Sequence, residues 1–151
     1  MSSTMKMPYD FRSWVHLVNG VVLDGFAPGD DAFEFDRNTD SFSSEVGVQG
    51  DMSVAISADR STTLTIKLLA NSSSNTYLGT LCDLQEGGPA TFVPVRYAAK
   101  DTNLQDIAEG NVGYIMRPSK MTRGGKAGEQ EWKLVFARGD FKFGGALNVP
   151  L

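Results

Sequence analysis

One cysteine, one histidine and no long apolar run set the first limits on this chain. Cys82 has no partner for an intrachain disulfide, so a disulfide-stapled fold is excluded. A chain of 151 residues without disulfides fits folding in a reducing cytoplasm. No run approaches the roughly 18 apolar residues of a membrane-spanning helix. The segment Met1 to Asp10 also lacks the apolar core of a signal peptide. These absences predict a soluble protein, made and kept inside a cell, with no membrane anchor. Positive charge is scarce too: 14 Lys and Arg stand against 18 Asp and Glu, for a net charge of −4. A protein that grips nucleic acid through its phosphates carries a basic stripe, so tight DNA or RNA binding is disfavoured.

Groups that carry chemistry are equally sparse. His16 lies between Val15 and Leu17 in an apolar segment. A catalytic triad or a zinc site needs further His, Cys or suitably spaced carboxylates, so His16 reads as a core or interface residue. Cys82 reads as a small buried apolar side chain rather than a reactive thiol. The acidic cluster Asp24, Asp30, Asp31, Glu34 and Asp36 lacks the Asp-x-Asp-x-Asp-Gly frame of a calcium loop, and reads as a solvated face. Gly124-Gly125-Lys126 lacks the Gly-x-x-x-x-Gly-Lys-Ser/Thr frame of a phosphate loop and reads as a turn. Asn71-Ser72-Ser73 matches a glycosylation sequon without a secretion signal to bring it into use. No catalytic residue, no cofactor site and no metal site is therefore expected, and the chain is not expected to be an enzyme.

What the chain does hold is glycine and alternating β-branched residues. Its 16 glycines, with 41% hydrophobic and 21% charged residues, describe a globular β-rich domain rather than a disordered tail. Trp14–Val18 and Val21–Leu23 flank Asn19-Gly20, the residue pair that a type I′ hairpin turn requires. Ala32–Asp36 alternates as a half-buried strand. Met52–Ala58 and Thr62–Leu69 alternate on either side of Asp59-Arg60-Ser61, which predicts an antiparallel hairpin. Between these pieces, Arg37–Asp51 is long, polar and glycine-bearing. Such loops are usually functional or mobile. From Ser73 the period changes. Tyr77, Leu78, Leu81 and Cys82 share one face of a helix over roughly residues 73–85, capped by serines and stopped by Gly87-Gly88-Pro89.

Strands are expected again at Thr91–Ala98, where Pro94 suggests an edge or a bulge, at Val112–Met116 and at Glu131–Arg138, with a last short one at Phe141–Phe143. Leu104, Ile107 and Ala108 read as a helical turn or loop. No fixed-period repeat and no linker appears, so residues 1–151 are expected to form one domain. The fold class is mostly β: an antiparallel barrel or sandwich of about seven or eight strands with one flanking helix.

Charge is unevenly distributed. Asp24 to Asp51 holds eight acidic residues and one basic, Arg37, whereas Ile115 to Lys142 holds seven basic and three acidic. Such a domain is either scattered in charge or electrically two-sided, and the second case suits head-to-tail association.

Several short sequences then fall in a telling order. They are Val18-Asn19-Gly20, Phe35-Asp36-Arg37-Asn38-Thr39-Asp40-Ser41-Phe42, Val46-Gly47, Gly50-Asp51, Ser57-Ala58-Asp59-Arg60-Ser61, Leu64-Thr65-Ile66-Lys67-Leu68-Leu69 and Ser72-Ser73-Ser74-Asn75. Together they make the stretch Val18 to Leu81 resemble the tail tube proteins of phages, the inner tubes of contractile tails and related particles. The resemblance implies six-membered rings that stack into a hollow tube. It also implies a loop reaching to neighbouring subunits, here Ser41, Phe42, Glu45, Val46, Gly47, Val48, Gly50 and Asp51. The partners it implies are further copies of the chain, then the tail sheath, the baseplate or tail tip and the tape-measure protein. DNA would pass through the lumen unbound, repelled by acidic residues. The place implied is the virion tail, assembled in the host cytoplasm. Read without the resemblance, the residues also allow a stand-alone β-barrel module that binds a small molecule or carbohydrate.

Overall fold

The computed structural model describes residues 5–144. The outer ends of the domain expected over residues 1–151, and the first four residues of the Met1–Asp10 segment, lie outside them. Among the described residues there are nine strands and one α-helix: β1 Trp14–Val18, β2 Val21–Leu23, β3 Phe33–Arg37, β4 Phe42–Val46, β5 Met52–Ile56, β6 Thr62–Leu69, α1 Ser73–Glu86, β7 Val95–Asp101, β8 Ile107–Ile115 and β9 Glu129–Lys142. Seven strands form one antiparallel sheet in the order β2-β1-β7-β8-β9-β6-β3, and β4 and β5 form a separate two-stranded ribbon.

The turn chemistry sets the first hairpin. Asn19 and Gly20 both take positive φ, 50° and 82°, and Val18 pairs with Val21 across them. β6, between β9 and the edge strand β3, contributes a fully buried inward row. Thr62, Leu64, Ile66 and Leu68 all point inward and are fully buried. The fourteen-residue β9 joins the two halves of the sheet. Its first part pairs with β6, from Leu69↔Glu129 to Thr62↔Phe136, and its later part with β8, from Ile115↔Leu134 to Ile107↔Lys142. The sheet therefore folds over itself. Phe35 of β3 meets Tyr97 of β7 at 5.6 Å, and Phe33 meets His16 of β1 at 4.7 Å between ring centroids. The edge strands β2 and β3 do not pair with each other, so the fold is a sandwich-like open sheet rather than a closed barrel.

α1 closes one end of the inner face. Leu78, Leu81 and Cys82 join the core, as their helical spacing predicts. Ser72 Oγ accepts from the Ser74 N–H at 3.2 Å and caps the helix. Tyr77 donates to the Val18 carbonyl, and Trp132 Nε1 donates to Asn75 Oδ1 at 3.0 Å. No helix among the described residues is long and apolar enough to cross a membrane.

Several elements differ from the sequence expectation. Met52–Ile56 does not pair with Thr62–Leu69; it pairs with β4, while β6 lies between β3 and β9. Residues 57–61 are not a tight hairpin turn, because Asp59 Oδ1 takes the Ser61 N–H at 2.8 Å and turns the chain locally. Leu104 does lie in a turn, organised by Asp101, whose Oδ1 accepts from Asn103 and Leu104 backbone N–H groups. Ile107 and Ala108, however, open strand β8. β7 is internal, not an edge, because Pro94 falls just before the strand, where its missing N–H removes no ladder bond; the bulge that Pro94 also allows has a counterpart in the register shift between Val95 and Tyr97 where β7 pairs with β8. Phe141 and Lys142 continue β9, which packs so closely on β6 that a Cβ at Gly139 would meet Thr62 Cβ at 2.5 Å.

Close approach also fixes Gly110 and Gly113. Both lie under the Phe136 ring, and a Cβ at Gly110 would stand 2.6 Å from Phe136 Cγ. Gly113→Ala would overpack this layer and is expected to lower stability by about 1–3 kcal/mol. Urea denaturation measures this directly, and an unchanged midpoint would show that the layer can shift at no cost.

Candidate functional site

The feature that the main sheet leaves uncovered is the β4–β5 ribbon, hereafter the arm. Its register pairs Phe42 with Ile56, Ser44 with Val54 and Val46 with Met52. Side chains of a strand alternate between faces. Phe42, Val46, Met52, Val54 and Ile56 therefore share one face with Ser44, while Ser43, Glu45, Ser53 and Ala55 occupy the other. All ten strand residues are exposed, including Phe42 at 61% and Ile56 at 71%. Val48 at the tip is fully exposed. A lone two-stranded hairpin is marginally stable in water. Its apolar face is the kind of surface that marks a contact with another molecule.

The tip and the root are both built. At the tip, the Gly47 N–H donates to the Asp51 carbonyl at 2.7 Å and the Gly50 N–H to the Gly47 carbonyl at 2.9 Å. Gly50 takes φ 95°, which a side chain would resist. At the root, Arg37 donates to the Gly139 carbonyl at 3.0 Å and its guanidinium lies 5.8 Å from the Phe141 ring centre. Asn38 donates through its backbone to the Ser61 carbonyl and through Nδ2 to Ser61 Oγ, both at 3.0 Å, and accepts from Thr63 Oγ1 at 2.6 Å. The backbone and side-chain N–H and O–H of Ser61 hold the Asp59 carboxyl below its ordinary range. The Arg-Asn-x-Asp-Ser segment is thus the clamp that anchors the arm to the sheet.

Of the residues singled out by sequence, Ser41 lies at the root, where its carbonyl accepts the Ser57 N–H at 2.9 Å. Phe42, Glu45 and Val46 lie on β4, with Glu45 on the polar face. Gly47, Val48, Gly50 and Asp51 make the tip. The structure brings all eight into one arm. Sequence reasoning missed Met52, Val54 and Ile56, whose alternation looked like that of a core strand. The arm is also acidic. Residues 40–59 hold Asp40, Glu45, Asp51 and Asp59 and no Lys, Arg or His. That equals the whole net charge of −4, because the other 14 acidic residues match the 14 basic ones.

The remaining sequence candidates are structural. His16 is 2% exposed, its Nδ1 lies 2.7 Å from the Tyr97 hydroxyl, and burial lowers its pKa to about 4. Cys82 is buried, and burial, helped by the Glu86 charge, raises its thiol to about 11, so a thiolate is scarce at neutral pH. The acidic cluster is dispersed: Asp24 accepts from Ser74 Oγ, Asp31 pairs with Lys67 at 2.8 Å, and Glu34 and Asp36 face outward on β3. Among the described residues no three His, Cys, Asp or Glu side chains stand close enough to hold a metal ion. Trp14 stacks on His16 and Trp132 is buried against α1, so both indoles serve packing.

Comparison with known proteins bears on the whole of this architecture. Three solved structures share the fold. One is the PVC extracellular contractile injection system sheath/tube terminator in its extended state, with a TM-score of 0.63 and 13% identity over 91% of this chain and 98% of that one. Another is the tube-terminating cap of the anti-feeding prophage, with a TM-score of 0.60 and 8% identity over 95% and 96%. A third is a chain of the extended PVC sheath-tube complex, with a TM-score of 0.58 and 9% identity over 90% and 92%. No curated protein matches the chain in sequence. Residues 19–144 match the family described as Bacteriophage PhiTE tail tube protein, and the chain belongs to that family. It is a structural protein of the tail tube kind, not an enzyme.

Proposed function

We propose that this tail tube family member assembles through its arm into rings, six-membered as the sequence resemblance implies, that stack into the hollow inner tube of a phage tail or phage-tail-like particle. The observation that carries this reading is the uncovered apolar face of the arm on a clamped root. A face of Phe42, Val46, Met52, Val54 and Ile56 is stabilised when a neighbouring copy covers it, at about 25 cal/mol per Å² of apolar surface removed from water. The sheet also ends in the two edge strands β2 and β3. Edges left open invite pairing with another chain, and a ring would close them.

In this reading the tube is a conduit for DNA ejection. The chain's net charge of −4 favours passage over binding, because like charge repels phosphate. The sheath would surround the tube. The baseplate or tail tip and the tape-measure protein would meet its end and lumen, and assembly would take place in the host cytoplasm before the particle is released. A second reading is a terminator that caps a finished tube, since two of the similar structures are a sheath/tube terminator and a tube-terminating cap.

Analytical ultracentrifugation and negative-stain microscopy over rising protein concentration test both. Rings that grow into tubes are expected. Rings that never stack would favour the terminator, and a strict monomer at the highest concentration would overturn self-assembly.

A further inference from the structure

We infer that the acidic arm of one copy docks on a basic surface at the opposite end of the next copy, formed by the loop between β8 and β9 and the groove beside it. This rests on the self-assembly reading and adds the receiving surface to it. The loop, residues 116–128, holds Arg117, Lys120, Arg123 and Lys126 and no Asp or Glu. Its four positive charges mirror the four negative charges of residues 40–59. None of these eight side chains makes an ion pair among the described residues.

The topology places the two segments at opposite ends of one strand. The arm leaves the sheet at Thr62, where β6 begins and where Arg37 is its partner. The basic loop enters β9 at Glu129, the partner of Leu69, where β6 ends. Eight residues of strand separate them, about 25 Å. No hydrogen bond or ion pair joins the two within the described chain. Complementary surfaces at opposite ends of one molecule make a contact that each copy can offer to the next. Repetition of such a heterologous contact yields a ring or an open stack.

The receiving surface also suits the arm's apolar face. Beside the loop lies a groove of about 390 Å³ lined by Lys67, Arg117, Lys120 and Lys133 together with Glu129 and Glu131. Asp31 holds Lys67 at 2.8 Å and Glu131 lies 3.8 Å from Lys133, so Arg117 and Lys120 are the cations left to meet a partner. Met116 and Met121 are exposed next to them, Met121 at 78%. Methionine is flexible and polarisable, and it adapts to an incoming apolar face. Phe42, Val46 and Ile56 would seat against these thioethers. Glu45 and Asp51 would set direction and register against Arg117, Lys120 and Arg123.

Charge reversal tests this on the full chain. One variant carries Glu45→Lys and Asp51→Lys; the other carries Arg117→Glu, Lys120→Glu and Arg123→Glu. All five positions are exposed, so both variants should keep the parent's circular dichroism and urea midpoint. Each alone then sets like charges against each other between positions 45 and 51 of one copy and positions 117, 120 and 123 of the next, and its threshold concentration for assembly should rise at least about tenfold. Mixed in equal amounts they should co-assemble near the parent threshold, because each arm again meets an opposite surface. Two results would overturn the docking and leave self-assembly standing: single variants that assemble like the parent, or a mixture that stays dispersed while the parent assembles. A parent chain that never assembles would remove both readings.

Discussion

Replacing Ser41–Ser57 with a two-residue Asn-Gly link is expected to leave the sheet folded and to abolish assembly. The geometry permits the cut, since the Ser41 carbonyl already accepts the Ser57 N–H at 2.9 Å and the two ends are neighbours. Asn-Gly closes a two-residue hairpin because both residues tolerate positive φ. The clamp loses only Ser41: Arg37 keeps the Gly139 carbonyl and Asn38 keeps Ser61. Every strand residue removed is exposed, so little buried surface goes with them. The urea midpoint should therefore move by no more than about 0.5–1 kcal/mol in stability. Sedimentation should show a monomer at concentrations where the parent forms rings. A shorter deletion of Ser41–Asp51 is the poorer experiment. It would remove β4 and strand Met52, Val54 and Ile56 without a pairing partner, inviting aggregation in place of a clean monomer. Rings formed by the excised chain would show that the arm is not the assembly element.

That experiment depends on residues which the sequence only half reveals. The Asn19-Gly20 turn, the inward row Leu64, Ile66 and Leu68, and the helix face of Leu78, Leu81 and Cys82 are legible because each is a local periodicity or turn chemistry with one solution. Thr62–Leu69 was readable as a strand, but not its partners. Period-two alternation says that one face of Met52–Ile56 is covered. It does not say whether the cover is this chain's core or another copy. The nearest alternating neighbour, Thr62–Leu69, looks like the mate, but the connection organised by Asp59 and Ser61 carries the chain out of the arm into the main sheet, and Met52–Ile56 pairs with β4 instead. The second half of the chain was harder because its glycines serve close packing rather than turns. Gly110, Gly113 and Gly139 sit inside strands, against Phe136 and Thr62, where their sequence signature is that of loops. Val112, at φ 50°, marks an irregularity in β8 that breaks the alternation and hides the strand's true start at Ile107. For the arm, the polar and glycine-bearing tip announced itself, whereas the apolar residues that give it purpose were disguised as core.

Lowering the pH from 7 to 4 should cost this fold roughly 3 kcal/mol through His16 alone. The ring is enclosed by Phe11, Trp14, Phe26 and Phe33, with Tyr97 on its Nδ1 side and, among the described residues, no partner for Nε2. Burial in that aromatic cage is what lowers its pKa from 6.5 to about 4. Between those two values the unfolded chain binds a proton that the folded chain does not, so stability falls as pH falls, and the loss levels off only below pH 4. Carboxylates add to the loss only below about pH 5. Hydrogen bonds and charge from Lys67 hold Asp31 below its ordinary range. Burial works to raise Asp101, but donors from Ser13, Asn103 and Leu104 prevail and lower it. Their stabilisation is present above the ordinary carboxylate pKa and is lost progressively below about pH 5, so the interval from pH 7 to 5.5 reports His16 most cleanly. His16→Gln can still meet the Tyr97 hydroxyl and cannot be protonated. Its stability at pH 7 should drop, yet its loss between pH 7 and 4 should be much smaller than the parent's. Urea denaturation at pH 7, 5.5 and 4 gives both slopes. Parallel loss in the two proteins would place the acid sensitivity elsewhere and would mean that the folded core accommodates a charged imidazole.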